Sequence, residues 1–197
     1  MIRIEKLLTK FGLTAVRYSE NTGGETLQSV DEQLAAVGIV WHDAPVGFLL
    51  LMAECNNDRH ALTELMHLVF QQSAQLLTDN WREFYPQQAV TALCVTSVAM
   101  AMNQQGGHCP ECNGTGRVLR HRKTIKCQAC EQGGTPWTDE TMFAVFCEQL
   151  PVTVERFKQY KSYINSLVKW LLAQRTEAIL VMDKRIEEEK AEAMKVA

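Results

Sequence analysis

The stretch that decides the fold is residues 135–171, TPWTDETMFAVFCEQLPVTVERFKQYKSYINSLVKWL. Thr138 stands where a helix N-cap belongs, Asp139 and Glu140 follow in the first turn, and Met142, Phe143 and Phe146 fall on one face. Pro151 in the LPVT segment stops that helix. Thr153 can cap a second one, VERFKQYKSYINSLVKWLLAQRTEAILVMDKRIEEEK, whose Phe157, Ile164, Val168 and Leu171 repeat at helical spacing. A short helix, a turn of three or four residues and a second helix have helix-turn-helix dimensions. With Phe157 in the core, 100° per residue puts Glu155, Gln159, Ser162, Ser166 and Lys169 on the opposite face, flanked by Arg156 and Lys158. Gln can address adenine, Ser either base type, and Arg or Lys guanine or the phosphates. Arg156, Lys158, Gln159, Ser162, Ser166 and Lys169 are therefore the candidate DNA-binding residues. An ordinary helical hairpin with a polar outside fits the same pattern.

Upstream the periodicity is also helical. From Pro45, VGFLLLMAEC leads into NNDRHALTELMHLVFQQSAQLL, where Asn57 or Asp58 can cap and Ala61, Leu62, Leu65, Met66 and Val69 recur at helical intervals. PQQAVTALCVTSVAMAMNQQ opens on Pro86 and is apolar nearly all round, which predicts a buried helix. Residues 1–45 mix a short amphipathic pattern with the linker-like SENTGGET and define little. The expected fold class is all-α: a helical body, an inserted four-cysteine module and a helix-turn-helix. The expected division is a poorly defined segment at 1–45, the body at 46–105, the cysteine module at 106–134, and the helix pair at 135–197 with its long helix packing back on the body.

Cys109-Pro-Glu-Cys112 and Cys127-Gln-Ala-Cys130 are separated by fourteen residues, close to the two-knuckle spacing of a tetrahedral zinc site. Two residues between thiolates let one tight turn aim both sulfurs at one ion, and Gly114, Gly116, Gly133 and Gly134 suit the turns around them. Four thiolates with no open position describe one structural zinc. Disulfides or unligated thiols are the lesser reading for a reducing compartment, and neither pair has the strand-to-helix setting of a redox motif. Cys55, Cys94 and Cys147 lie in apolar helical stretches and read as small buried hydrophobes. Between the knuckles, RVLRHRKTIK carries Arg117, Arg120, Arg122, Lys123 and Lys126 and no acid. A solvated hairpin, a counter-charge to the thiolates, and a contact with nucleic-acid phosphate or an acidic protein surface all fit this loop.

The 197 residues allow one sizeable core with a small appended module, and 46% hydrophobic against 22% charged residues is the balance of a folded globular chain. No apolar run is long enough to span a bilayer, and the charged N-terminus MIRIEKLLTKFGL lacks the pattern of a secretory signal, so a cytoplasmic location is expected. The net charge is −3, yet residues 106–170 hold nine Lys and Arg against six Asp and Glu. Only charges within about a Debye length (~10 Å) of a phosphate matter, so this local excess decides more than the total. No nucleophile–histidine, metalloprotease or phosphate-loop motif is present, which points to a non-enzyme without a small-molecule substrate.

The order of a helical region, CPECNGTGR, a basic spacer, CQAC with following glycines, and a candidate helix-turn-helix resembles the antitermination protein Q family of lambdoid phages over roughly residues 46–180. The resemblance is strongest between Cys109 and Leu171; Glu131-Gln-Gly-Gly departs from the Gly-x-Gly ending more usual there. It implies a DNA-binding transcription regulator of phage late gene expression. Such a protein binds DNA at a late promoter, engages paused bacterial RNA polymerase through the flap region and sigma factor, and makes it read through terminators. By that resemblance Cys109, Cys112, Cys127 and Cys130 would hold zinc and the helix from Val154 would enter the major groove. CPECNGTG also resembles the Cys-x-x-Cys-x-Gly-x-Gly repeat of J-domain co-chaperones, although this chain has two units and no His-Pro-Asp. A zinc-stapled adaptor that binds only protein is the third reading.

Overall fold

The computed structural model describes residues 42–77, 83, 85–103, 107–108, 115–120, 123–128, 130 and 134–196. The expectations for residues 1–41 lie outside these. Within them the chain is mostly helical. Helices α1 (Pro45–Asn56), α2 (Arg59–Leu76), α3 (Pro86–Met102), α4 (Asp139–Gln149) and α5 (Val154–Val196) frame four short strands, β1 (Gly107–His108), β2 (Arg117–Arg120), β3 (Lys123–Lys126) and β4 (Gly134–Thr135). The chain divides into two units, Met1–Leu68 with Lys169–Ala197, and Val69–Val168. The division therefore falls inside α2 and α5 rather than in loops.

In the first unit α1 is buried nearly all round, with Val46, Leu49, Leu50, Leu51 and Ala53 all in the core. Pro45 starts it, where the missing N–H costs nothing. The two candidate cap residues divide the work. Asn57 takes the left-handed conformation that ends α1 (φ 52°), and Asp58 Oδ1 accepts from His60 N (2.8 Å) and Ala61 N (3.2 Å) to begin α2. The C-terminal part of α5 meets α1 closely: a Cβ at Gly47 would stand 2.0 Å from the Gln174 carbonyl oxygen. Ala44, Phe48 and Leu51 pack there with Ala178 and Met182, and Arg175 Nε donates to Glu54 Oε2 at 3.1 Å.

In the second unit α3 opens on Pro86 and buries Ala89, Ala92, Leu93, Cys94, Thr96, Ser97, Val98 and Ala101. Ser97 satisfies its hydroxyl by donating to the Leu93 carbonyl (2.7 Å), so a polar side chain sits inside without an unmet bond. Helix α4 packs on α3 and begins with a reciprocal cap: Thr138 Oγ1 accepts from Thr141 N, and Thr141 Oγ1 accepts from Thr138 N. Phe146 then meets Phe157 edge-on at 5.4 Å and the tilted Tyr160 ring at 4.8 Å, which locks α4 to the start of α5. Among the described residues no helix is long and apolar enough to cross a membrane.

Candidate metal centre and helix pair

At the base of the module between α3 and α4, Trp137 Nε1 donates to the Asn103 carbonyl at 2.7 Å. Next to it β1 pairs antiparallel with β4, Gly107 opposite Thr135 and His108 opposite Gly134. Farther along the chain β2 pairs with β3, from Arg117 opposite Lys126 to Arg120 opposite Lys123. Segments 109–116 and 127–133 thus join the same two ladders, and each carries one Cys-x-x-Cys pair.

Cys109 and Cys112 lie outside the described residues, as does Arg122. Of the second pair, Cys127 is buried and clusters with Val118 and Cys130. Its N–H donates to the Gly116 carbonyl at 2.9 Å, while Gly116 takes φ 70°, a turn that L side chains strongly disfavour. Two thiols among the described residues make no group of three or more metal-binding side chains. The donor chemistry of the described pair suits zinc, since the root of the β2–β3 hairpin holds the Cys127 and Cys130 thiols together. A thiolate-bound zinc would supply a crosslink and no chemistry beyond it.

On the β2–β3 hairpin Arg117, Lys123 and Lys126 are exposed. Arg120 shares the ladder opposite Lys123. The register thus sets basic residues at opposite positions of one ribbon, Arg117 with Lys126 and Arg120 with Lys123. Leu119 between them is 74% exposed.

The helix pair forms as expected at its core. Met142 and Phe146 are buried and Phe143 meets Phe157 edge-on at 5.3 Å. The turn is Leu150 to Thr153, held by Leu150 N donating to the Phe146 carbonyl (3.1 Å) and Cys147 Sγ to the Val152 carbonyl (3.8 Å). Thr153 Oγ1 accepts from Arg156 N at 3.4 Å. Beyond it Glu155, Lys158, Gln159, Ser162 and Ser166 are all exposed. The serine hydroxyls bond back along the helix, Ser166 to the Ser162 carbonyl at 3.0 Å, and keep their oxygens available as acceptors. Lys169, the first residue of the other unit, is exposed too.

Arg156 departs from the expected row. Its guanidinium bonds the Glu83 carboxylate, which is nearly buried, and that pairing holds the arginine firmly protonated. The pair ties the first turns of α5 to Glu83, while 41% of the Arg156 side chain stays exposed. Glu83 itself carries no sequence signal, because one acid ahead of a helix looks like any solvated charge. Trp137 was equally silent, its indole N–H reaching a carbonyl thirty-four positions away.

A model of the family described as "Conserved hypothetical protein CHP02642" matches residues 94–191. That stretch is just under half of the chain and takes in the second half of α3, the cysteine module, α4 and most of α5. Its description carries no activity. No curated protein matches the chain.

Proposed function

We propose that the protein is a zinc-stapled, sequence-specific DNA-binding transcription factor, and that it acts as an antiterminator on paused bacterial RNA polymerase at a phage late promoter. The observation that carries the DNA reading is the exposed row Lys158, Gln159, Ser162 and Ser166 on a helix that follows a four-residue turn. A row of one cation and three neutral hydrogen-bonding groups suits base edges with a phosphate anchor. The basic hairpin supports it physically. Like charges directly opposite on a ladder are destabilising, and an anionic backbone laid against the face that carries Arg117 and Lys126 would offset that cost. The antitermination step rests on the resemblance of the cysteine module and helix pair to the Q family. On this reading the protein is not an enzyme, and its zinc is structural.

Selection of bound duplexes from a random pool tests the DNA reading. One enriched sequence, with preference at one base relaxed when Gln159→Ala is used, is the expected result; competition by random duplex as strong as by any selected site would remove the groove-reading assignment. A run-through assay on a template carrying the selected site upstream of a terminator then separates antitermination from simple activation or repression.

A further inference from the structure

We propose that Glu155 is a specificity-determining residue of the α5 surface: its carboxylate accepts from the N4 amino group of a cytosine in the major groove and repels duplexes that lack one at that place. The inference rests on the DNA-binding reading above and adds to it the one acidic member of the exposed row. At 100° per residue Glu155 lies within about 20° of Ser162 and Ser166 in projection down the helix, and about 160° from the buried Phe157. It is also the second residue of α5, and the N-terminal residues of a recognition helix are the ones that meet base edges.

Between Val154 and Lys161 the charged side chains are Glu155, Arg156, Lys158 and Lys161. Arg156 pairs with Glu83, and Lys161 Nζ bonds the Asp139 carboxylate at 2.7 Å. Glu155 and Lys158 are exposed, and among the described residues neither side chain has an ion-pair or hydrogen-bond partner. They stand three positions apart, where an internal pair could form. The charges tied into the fold are thus those off the outward row, while the two on it stay open to a ligand. A carboxylate is an acceptor only, and the base edges of the major groove answer it unequally. Guanine offers two acceptors, thymine an acceptor and a methyl group, and adenine an acceptor beside its donor; cytosine alone offers a donor with no opposing lone pair. Wherever cytosine is missing, the same carboxylate faces phosphates of like charge within a Debye length. Glu155 therefore penalises wrong sequences as well as rewarding the right one, while Lys158 one turn on supplies the compensating phosphate contact. The competing role is purely structural, since an acid in the first turn also interacts favourably with the helix dipole.

Duplexes selected from a random pool by the full-length protein, followed by fluorescence-anisotropy titrations at one salt concentration, test the assignment. The selected site should contain a cytosine whose replacement by thymine, with the pair kept complementary, weakens the wild-type protein about tenfold, as loss of a base contact does. The same replacement should change binding by Glu155→Ala less than about twofold. Random duplex should bind Glu155→Ala more tightly than the parent, because the repulsion is gone. Glu140→Ala, which removes an exposed first-turn acid of α4, should keep the full cytosine discrimination. Cytosine discrimination intact in Glu155→Ala, or lost equally in Glu140→Ala, would overturn the proposal and leave sequence-specific binding standing. So would weaker binding of random duplex by Glu155→Ala, or an effect of that variant confined to its melting temperature. No enriched sequence with the wild-type protein would overturn the DNA-binding reading and this assignment together.

Discussion

Gly47 is the residue at which the first unit is least forgiving. Its position within the buried α1 places the backbone so near α5 that an added methyl would meet the Gln174 carbonyl at 2.0 Å and the Ala178 methyl at 2.8 Å. Neither neighbour can swing aside, because one is backbone and the other belongs to the packed Ala44, Phe48, Leu51, Met182 cluster. Gly47→Ala would gain helix propensity worth about 1 kcal/mol, yet overpacking of this kind costs about 1–3 kcal/mol or more. The expected outcome is a net loss of stability of roughly 1–2 kcal/mol in urea denaturation; a stabilised variant would mean the helices do not approach this closely. Cys94 is the matching case in the second unit. Burial pushes its thiol up to about 11, with a hydrogen bond to Ser73 pulling slightly the other way. Its folded value therefore exceeds the ordinary 9.0. The stability it contributes is intact below pH 9 and is lost as pH rises toward 11, because the unfolded thiol ionises first. Since thiolate is the reactive form, Cys94 should resist an aromatic disulfide reagent at pH 8 in native protein and react at once in denaturant.

The elements were legible to the extent that their signals are local. Pro45 and Pro86 at helix starts, Thr138 and Thr153 as caps and the break at Pro151 are each read from a few adjacent residues, and the structure places α1, α3, α4 and α5 accordingly. The predicted periodicity in α2 holds for Ala61, Leu65 and Val69, which are buried, while Leu62 and Met66 flank them partly exposed. What stayed hidden are partners far apart in sequence: Glu83 with Arg156, Trp137 with Asn103, and Gly47 under Gln174. Charge and glycine content alone do not say which distant group waits opposite, and so Arg156 read as a free cation. The cysteine module mixes both cases. Its ligand spacing is local, whereas the pairing of Gly107 with Thr135 that closes it is not. Among its described residues the module has two ladders of two and four residue pairs and a small buried cluster around Cys127. Metal binding to such a unit is folding free energy. Elemental analysis of protein purified without chelator should find one zinc per chain, and Cys127→Ser should lose it and melt at lower temperature. Metal-free wild-type protein with unchanged melting would remove the staple.

At the scale of the whole molecule, charge is distributed against its total. The chain is acidic by three, yet Arg117, Lys123, Lys126 and Lys158 stand exposed within the one unit that also holds the cysteine cluster and the helix pair. Binding through these four cations would release counterions with a slope of roughly −0.9 per phosphate neutralised. Affinity for a selected duplex should therefore fall by roughly a hundredfold between 50 and 200 mM salt. The residue-level assignments divide this slope in ways a fluorescence-anisotropy titration can read. Lys158→Ala should reduce it by about one unit and weaken all sequences alike, while Gln159→Ala should leave it unchanged and relax preference at one base. Arg156→Ala should also leave the slope unchanged, because Glu83 already takes its charge, and should show its effect in thermal melting instead. A salt slope that drops with Arg156→Ala as much as with Lys158→Ala would mean the guanidinium leaves Glu83 for phosphate, and the internal pair would then be a state the DNA displaces rather than a fixed support of α5.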